Sequence, residues 1–441
     1  HKGRRPFAYR SREEALDRSR KLQSTRSGQL AEILELKADA SVPARARSFW
    51  KRGKVSLRQR LHSRRYRAFQ ANADDAANNR GWFRGPRTWV GLRVMPGRTW
   101  RRVGAELLDY DLSFGNELTE LAPDLIHAHD YPMLVAATNA KARAAQAGRS
   151  LAVVHDVHEW ILGVSRRDPH WRHAMHLAEV ELIPRADAVI TVSDWLADSV
   201  QRDCRLAERP IIITNSPELP SPTTARLAPS VRDRCGLAEG VPLMVYSGAL
   251  AAARGVGTVV DALPLLPDVH LAVVTGKGKN LHYDELLEMA EAAGTADRVH
   301  RVDYVPQELV VPHLASADIG LIPITHALNH EISLITKYRE YMHARLPIVV
   351  SDVRTMAEFT REHGTGEVFV EGDPADLARA VRAVLADPER YRSAYTDDLL
   401  AEHSWPVQAA RLVDVYAGLV GQAPPVEPPV PTPPFLLPPA T

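Results

Sequence analysis

The stretch "VPLMVYSGALAAARGVGTVVDALPLLPDVHLAVVTG", residues 241–276, decides the fold. It opens with an apolar run that ends at Ser247, passes through a loop of small residues into a helix pattern, and closes with a second apolar run, "HLAVVT". A strand, a helix and another strand in this order indicate a βαβ unit with parallel strands. Continuous apolar runs are typical of strands that are covered on both faces.

The same alternation continues in both directions along the chain. Upstream, helix patterns separate the apolar runs "DLIHAHD", "LAVVHDVHEW" and "AVITVS", and Ser193 or Asp194 is placed to cap the helix after the third run. Downstream, the runs are "RVHRVDYV", "DIGLIPI", "LPIVVSD" and "TGEVFV". Between the two series, residues 216–230 hold four prolines and little periodicity, which indicates an interdomain linker.

The sequence therefore predicts an α/β protein with two Rossmann-like, doubly wound domains facing a cleft. Ligands of such sheets bind beyond the carboxyl ends of the strands, so the cleft is the expected binding site. The predicted segments are a basic N-terminal region at 1–102, a first domain at 103–215, a linker at 216–235, a second domain at 236–404, a closing helix at 405–420 and a Pro-rich tail at 421–441.

Composition and charge narrow the class of protein. The 441 residues are 45% hydrophobic and 25% charged, no run of eighteen apolar residues could span a membrane, and residues 1–30 lack the apolar core of a secretory signal. The two cysteines, Cys204 and Cys235, form no disulfide framework. These features predict a cytoplasmic protein; they do not indicate its oligomeric state.

The net charge of +1 hides an asymmetry, because residues 1–102 hold 27 Lys and Arg against 8 Asp and Glu. Such a region is typical of a solvated arm, or of a segment that wraps the acidic remainder of the chain. Its interleaved tryptophans and arginines also suit an anionic membrane surface, where the chain would be peripheral at the inner face. Nucleic acid is the less favoured partner.

Two strand ends carry glycines and cations. In "YSGALAAARGVGTVV", Gly248 and Gly255 let a ligand approach the backbone, and Arg254 adds a fork of donors suited to phosphate. In "VVTGKGKN", Gly276 ends a second strand ahead of Lys277. The alternative in each case is an ordinary tight turn with solvated cations.

The segment "LITKYREYMHARLPIVVSD", residues 334–352, places charges directly before a buried strand. Lys337 and Glu340 are three residues apart and share a helix face. They could form a surface ion pair of little energetic consequence. Alternatively, at the mouth of the sheet, the carboxylate could accept hydrogen bonds from a ribose diol and the lysine could meet a phosphate.

Histidines end two strands of the first domain. The runs "LIHAHD" and "VVHDVHEW" each end a strand in His and Asp, which makes these residues candidates for acceptor binding or proton handling. His129 and Asp130 close the first run, and Asp156 and His158 lie at the end of the second. The spacing of His155 and His158 fits neither a strand face nor a zinc motif, so the sequence predicts no metal site.

Taken together, several segments resemble the retaining GT-B glycosyltransferases of family 4 over about residues 110–420. They are "PDLIHAHD", "ADAVITVSDWLADSV", the stretch quoted first, "ADIGLIPI" and "KYREYMHARLPIVVSD". The resemblance implies a nucleotide-sugar donor in the second domain and a glycan, lipid-linked or small-molecule hydroxyl acceptor in the first. It implies no cofactor and no required metal.

The resemblance also implies roles for individual residues. The catalytic group would be His158, Arg254 and Lys337, and His129, Asp130 and His158 would bind the acceptor. Donor binding would fall to Gly248, Arg254, Gly276 and Lys337 around the diphosphate, Glu340 at the ribose, and Tyr304 and Val305 at the base.

The sequence departs from the family pattern in two places. The family often carries two glutamates seven residues apart, but the earlier place is Ile332, and Glu331 is one position off. The hydrophobic strand and glycine loop that open the family's first domain are also missing from residues 1–100, so they lie upstream of His1 or this domain is built differently. Two other functions stay open: a nucleotide-sugar 2-epimerase of the same fold, and an inactive basic scaffold.

Overall fold

A computed structural model describes residues 84–104, 106–164, 169–278 and 280–421. The predictions for residues 1–83, for Lys279 and for the tail from residue 422 lie outside these ranges. The described residues divide into two compact units, of which the first comprises residues 84–156 and 169–187 and the second comprises residues 157–164 and 188–421. No helix within the described ranges is both long and apolar enough to cross a membrane.

The described residues form ten strands and seventeen α-helices in the alternating order expected from the sequence. The strands are β1 (Leu125–His129), β2 (Ala152–Val157), β3 (Ala188–Thr191), β4 (Ile211–Ile212), β5 (Leu243–Ser247), β6 (His270–Thr275), β7 (Val299–Asp303), β8 (Ile319–Ile322), β9 (Ile348–Ser351) and β10 (Gly366–Phe369).

The helices are α1 (Arg84–Val94), α2 (Pro96–Val103), α3 (Glu106–Leu121), α4 (Asp130–Gln146), α5 (Pro169–Leu182), α6 (Asp194–Cys204), α7 (Pro222–Ala225), α8 (Val231–Arg234), α9 (Val256–Ala262), α10 (Leu281–Ala292), α11 (Val310–Leu314), α12 (Thr336–His343), α13 (Arg354–His363), α14 (Pro374–Ala386), α15 (Pro388–Arg392), α16 (Asp397–Glu402) and α17 (Trp405–Val420). Short 3-10 turns lie between them at Ile161–Gly163, Ile183–Arg185, Ala252–Arg254, Leu263–Leu265, Ala296–Arg298 and Gln307–Leu309.

The strands form two parallel sheets. One has four strands in the order β1-β2-β3-β4, and the other has six in the order β10-β9-β8-β5-β6-β7. The stretch quoted first forms the predicted βαβ unit, with Leu243 of β5 in register with His270 of β6. From β5 the chain winds one way to β7, and from β8 it winds the other way to β10, so the switch point of the sheet lies between β5 and β8.

Apolar cores cover both faces of the six-stranded sheet, which explains why its strands read as continuous apolar runs. In β5, Leu243 and Val245 belong to one core, whereas Met244 and Tyr246 belong to the other. All four side chains are fully buried. Ligand-binding groups are therefore confined to the strand ends and the loops beyond them.

Local details sharpen the predictions at three places. Ser193 is the cap of α6, where its hydroxyl accepts a hydrogen bond from the Leu196 amide at 3.3 Å. The helix pattern after β5 is interrupted, because Gly255 adopts a φ of +66° and separates a 3-10 turn from the seven-residue α9. The segment predicted as a linker, 216–230, contains the short helix α7, which Ser221 caps.

Candidate functional site

The buried Tyr341 of α12 forms hydrogen bonds with the carboxyl end of β5. The Tyr341 hydroxyl accepts a hydrogen bond from the Ser247 amide at 3.0 Å and donates one to the Val245 carbonyl at 3.1 Å. Gly320 of β8 provides the space, since a Cβ there would lie 2.6 Å from the Tyr341 ring. On the same helix, the Tyr338 hydroxyl meets Thr360 at 2.7 Å and Thr365 at 2.6 Å.

This anchoring places Lys337 at the end of β5. Its Nζ lies 3.6 Å from the centroid of the Tyr246 ring, a cation–π contact. A Cβ on Gly248 would lie 2.9 Å from the same Nζ, and Gly248 has a φ of +143°, which strongly favours glycine. The Lys337 amine therefore lies between an aromatic face and a backbone that no side chain covers.

The electrostatic surroundings of Lys337 disfavour its positive charge. Burial lowers its pKa to about 7, the nearby positive charge of Arg254 acts in the same direction, and Glu340 opposes them. Lys337 and Glu340 do not form the surface ion pair that was one reading of the sequence; the Lys337 amine contacts the Tyr246 ring instead. Among the residues that the structure describes, no carboxylate forms an ion pair with this amine, so an incoming anion would favour its charged form.

Arg254 reaches this site from the turn after β5. Gly255, with its φ of +66°, packs so closely that a Cβ would lie 1.7 Å from the Pro323 carbonyl oxygen. The Thr325 amide donates to the Ala253 carbonyl at 3.1 Å. These contacts fix the turn of Arg254 against the loop after β8, at the switch point of the sheet.

Glu340 and Tyr304 belong to the same edge of the sheet. Burial raises the pKa of Glu340, and Lys337 opposes this effect. Tyr304 is 46% exposed, and its ring lies 3.6 Å from the position of a Cβ on Gly276. The pKa of Tyr304 is raised by burial and by the charge of Glu340, while a hydrogen bond with Thr275 opposes them. The half-buried Val305 is the next residue along the chain.

The two positions of the sequence departure have structural roles. Ile332 is buried, with 4% exposure. The Glu331 carboxylate lies 2.5 Å from His326 Nδ1 and accepts a hydrogen bond from the Arg354 amide at 2.8 Å. Burial alone would raise the pKa of Glu331, but these bonds outweigh it and lower the pKa. Because Val353 gives α13 no side-chain cap, Glu331 acts as the cap of that helix.

His158 lies in the segment Val157–Val164, which belongs to the second unit. The Trp160 amide donates to Asn329 Oδ1 at 3.2 Å, and a Cβ on Gly163 would lie 2.6 Å from that oxygen. Ile161 is buried. The segment that carries His158 is therefore packed on the loop that leads into α12.

His129 and Asp130 lie in the first unit, at the end of β1 and the start of α4. Their surroundings include Asp156, whose Oδ2 lies 3.1 Å from His129 Nδ1 and 3.6 Å from His127 Nε2. His155 has another role, since its buried Nδ1 donates to the Ala128 carbonyl at 3.1 Å. The structure thus collects the donor candidates in the second unit and these two acceptor candidates in the first.

Sequence reasoning missed Tyr246 and Asn329, and it gave Asp156 no role of its own. Tyr246 lies in an apolar run that predicts a buried strand, and nothing in that run distinguishes it from its apolar neighbours. Asp156 was visible as a polar residue at a strand end, and the register of β1 with β2 brings it to His129. For Asn329 the sequence gives no signal, because its contact with Trp160 spans 169 residues.

Two family descriptions match the chain. Residues 241–387 match "Glycosyl transferases group 1", and residues 55–216 match "Glycosyltransferase Family 4". Together these ranges take in well over half of the chain, and the second begins ahead of residue 110, where the resemblance read from the sequence started.

Two relatives are 27% and 30% identical to this chain over the residues that match. Glycogen synthase of Mycobacterium tuberculosis is 27% identical over 310 residues, which are 67% of this chain and 68% of that protein. D-inositol 3-phosphate glycosyltransferase of Xylanimonas cellulosilytica is 30% identical over 209 residues, 46% of this chain and 48% of that protein. The chain thus spans between about half and two thirds of these relatives.

Among solved structures, Anabaena HepE in complex with UDP and glucose superposes with a TM-score of 0.55 at 19% identity, over 69% of this chain and 83% of that one. At this identity the likeness concerns the fold, and it confirms the predicted α/β, GT-B class. With both family descriptions matched and the fold shared, the chain belongs to the family-4, group 1 glycosyltransferases, GT-B enzymes that use nucleotide-sugar donors.

Proposed function

We propose that this chain moves a sugar from a nucleotide-diphosphate sugar to a hydroxyl acceptor with retention of configuration. The observation that carries the proposal is the Lys337 amine, held 3.6 Å from the Tyr246 ring and beneath Gly248, with Arg254 close enough to lower its pKa. A diphosphate placed there would neutralise both cations. The free energy of that neutralisation would favour donor binding.

The same cations would assist the reaction. As the bond to the sugar breaks, negative charge develops on the departing diphosphate, and Arg254 and Lys337 are positioned to stabilise it. Gly248 lets the phosphates approach the backbone, because a side chain at this position would occupy the space of the Lys337 amine. The acceptor hydroxyl would attack from the face that the diphosphate leaves and pass its proton to a phosphate oxygen.

The nucleoside would extend toward the neighbouring strand ends. Glu340 would accept hydrogen bonds from the two ribose hydroxyls, a role that needs a charged carboxylate, and the nearby Lys337 favours that form. The exposed ring of Tyr304, with Val305 and Gly276, would cover the base. His158 would approach the transferred sugar, and His129 and Asp130 would contact the acceptor, as the family resemblance implies.

The test begins with the donor. Thermal unfolding with UDP, GDP, ADP and their sugars identifies the nucleotide, because a ligand that binds only the folded state raises the midpoint. UDP-glucose is the first sugar to test, since the HepE structure holds UDP and glucose.

Calorimetry then tests the site. Glu340→Ala and Arg254→Ala should each weaken binding of the nucleoside diphosphate at least about tenfold, the equivalent of about 1.4 kcal/mol. The matched controls are Glu358→Ala and Arg361→Ala, which alter the same residue types at exposed positions of α13. Unchanged affinity in both site variants would show that the donor binds elsewhere.

Incubation of the donor without acceptor separates this proposal from the two other functions. Slow hydrolysis of the donor supports a transferase. Formation of the 2-epimer would instead indicate an epimerase, and failure of every nucleotide to bind would indicate an inactive scaffold.

A further inference from the structure

Three metal-ligating side chains share one face of the four-stranded sheet at its carboxyl edge. His127 and His129 are two residues apart on β1, and side chains two apart on a strand point to the same face. Asp156 of β2 stands in register with His129. The backbone alone therefore brings two imidazoles and one carboxylate together.

The side chains converge on one point. Asp156 Oδ2 lies 3.1 Å from His129 Nδ1 and 3.6 Å from His127 Nε2, and all three ligand atoms lie within 4.8 Å of one another. Around a tetrahedral ion about 2.0–2.1 Å from each ligand, neighbouring ligand atoms would be about 3.3 Å apart. The two nitrogen-to-oxygen distances already match that spacing, and the two rings stack with centroids 4.1 Å apart.

Two of these ligands are sheltered and the third is at the surface. The Asp156 and His127 side chains are 11% and 15% exposed, whereas that of His129 is 61% exposed. Such a site has two inner ligands and a side that solvent can reach. Three protein ligands with one free coordination position are typical of metal sites that bind a water or a substrate oxygen.

We propose that His127, His129 and Asp156 form a binding site for a divalent transition metal of the zinc class. Two imidazoles with one carboxylate suit zinc, whereas magnesium and calcium prefer all-oxygen ligands. The free position would take water or an oxygen atom of a small ligand. This site differs from the His155 and His158 pair considered in the sequence, and it does not depend on the proposed function.

A second cluster of the chain supplies a matched control. His326 also meets two carboxylates, but Glu331 lies at its Nδ1 and Asp352 at its Nε2. Because the two ring nitrogens point in different directions, one ion cannot bind both carboxylates together with the ring. His326→Gln thus removes a histidine from a carboxylate cluster without removing a convergent ligand set.

The experiment uses the full chain after chelator treatment. Zn²⁺ titration by calorimetry should give one dominant site, and Co²⁺ should give the visible absorption bands of a low-symmetry, nitrogen-bound ion. Asp156→Asn and His127→Gln should each weaken Zn²⁺ binding at least about tenfold, the lower end of what even an outer-shell change costs a zinc site. His326→Gln should leave the affinity within about twofold.

Thermal unfolding without any ligand provides the folding control. Variants that keep the cooperative unfolding transition and the near-UV circular dichroism of the unaltered chain are folded, so a loss of Zn²⁺ affinity in them reports the ligands. If Zn²⁺ does not bind the unaltered chain, or binds Asp156→Asn and His127→Gln as tightly as the unaltered chain, the three residues are a hydrogen-bonded cluster only and the proposal is wrong.

Discussion

The carboxyl edges of the two sheets use opposite electrostatic arrangements. At the four-stranded sheet, two imidazoles meet the Asp156 carboxylate at 3.1 and 3.6 Å. At the six-stranded sheet, the Lys337 amine meets an aromatic ring and a bare glycine backbone, and the Arg254 charge adds to it. The first edge offers lone pairs to a cation, and the second places Lys337 and Arg254 where an anion would favour their charged forms. Similar parallel sheets thus acquire different chemistry from the few residues that end their strands.

The substitution with the largest expected effect displaces the Lys337 amine from the carboxyl edge of the six-stranded sheet. Gly248→Val would place a branched side chain where the Lys337 amine lies, since even a Cβ would be 2.9 Å from Nζ. Displacing one charged contact to phosphate should weaken nucleoside diphosphate binding about 100-fold, or about 3 kcal/mol. Calorimetry measures the loss.

The control for that substitution is Gly372→Val. Gly372 also has a positive φ, of +77°, but a Cβ there would meet no atom within 4 Å. Equal losses of affinity in both variants would mean that backbone strain, and not displacement of Lys337, explains the result.

A second substitution, Tyr341→Phe, weakens the attachment of α12, the helix that carries Lys337. Tyr341→Phe removes the acceptor of the Ser247 amide and leaves a buried N–H without a partner, so the free energy of unfolding should fall by about 1–3 kcal/mol. Tyr338→Phe is the comparison, because the two threonine hydroxyls it would leave can rotate toward other acceptors. Denaturant unfolding that shows equal or larger losses for Tyr338→Phe would contradict this account of the anchor.

The pH dependence of nucleotide binding sharpens the comparison. The pKa of Lys337 is about 7 in the free protein, so most of its amine is neutral at pH 8.5. A bound diphosphate favours the charged form and raises that pKa, so binding takes up close to one proton, and the affinity should fall up to about tenfold per pH unit above pH 7.5. Calorimetry in buffers of different ionisation enthalpy measures the uptake, which should vanish in Lys337→Met.

The smallest expected effect concerns the first edge. Asp156→Asn changes the charge among the imidazoles but lies in the other unit from the cations, so nucleoside diphosphate affinity should stay within about twofold, less than 0.5 kcal/mol. A larger change in calorimetric affinity would mean that the two edges are energetically coupled.

Much of this architecture could be predicted from the sequence because its signals are local. Apolar runs marked the strands, and Ser193 marked the cap of α6. Gly248 stood out as a glycine at a strand end, and in the structure a Cβ there would lie 2.9 Å from the Lys337 amine. Lys337 and Glu340 stood out as charges beside a buried strand, although the sequence alone left a surface ion pair open.

The remaining contacts depend on distant pairings that local patterns do not encode. The position of Lys337 over Tyr246 follows from the bond between Tyr341 and Ser247, residues 94 apart in the chain. The convergence of Asp156 with His127 and His129 follows from strand register. The roles of the donor and acceptor residues stay predictions until the binding experiments are done.

The capping role of Glu331 has a consequence for protein engineering. Restoring the two-glutamate pattern by Ile332→Glu would bury a carboxylate where a side chain is now 4% exposed, at a cost of several kcal/mol. Recruiting Glu331 instead would release the start of α13 and the imidazole of His326. Restoring the two-glutamate pattern in this chain is therefore a problem of redesigning a helix start together with its loop, and a single exchanged residue would not achieve it.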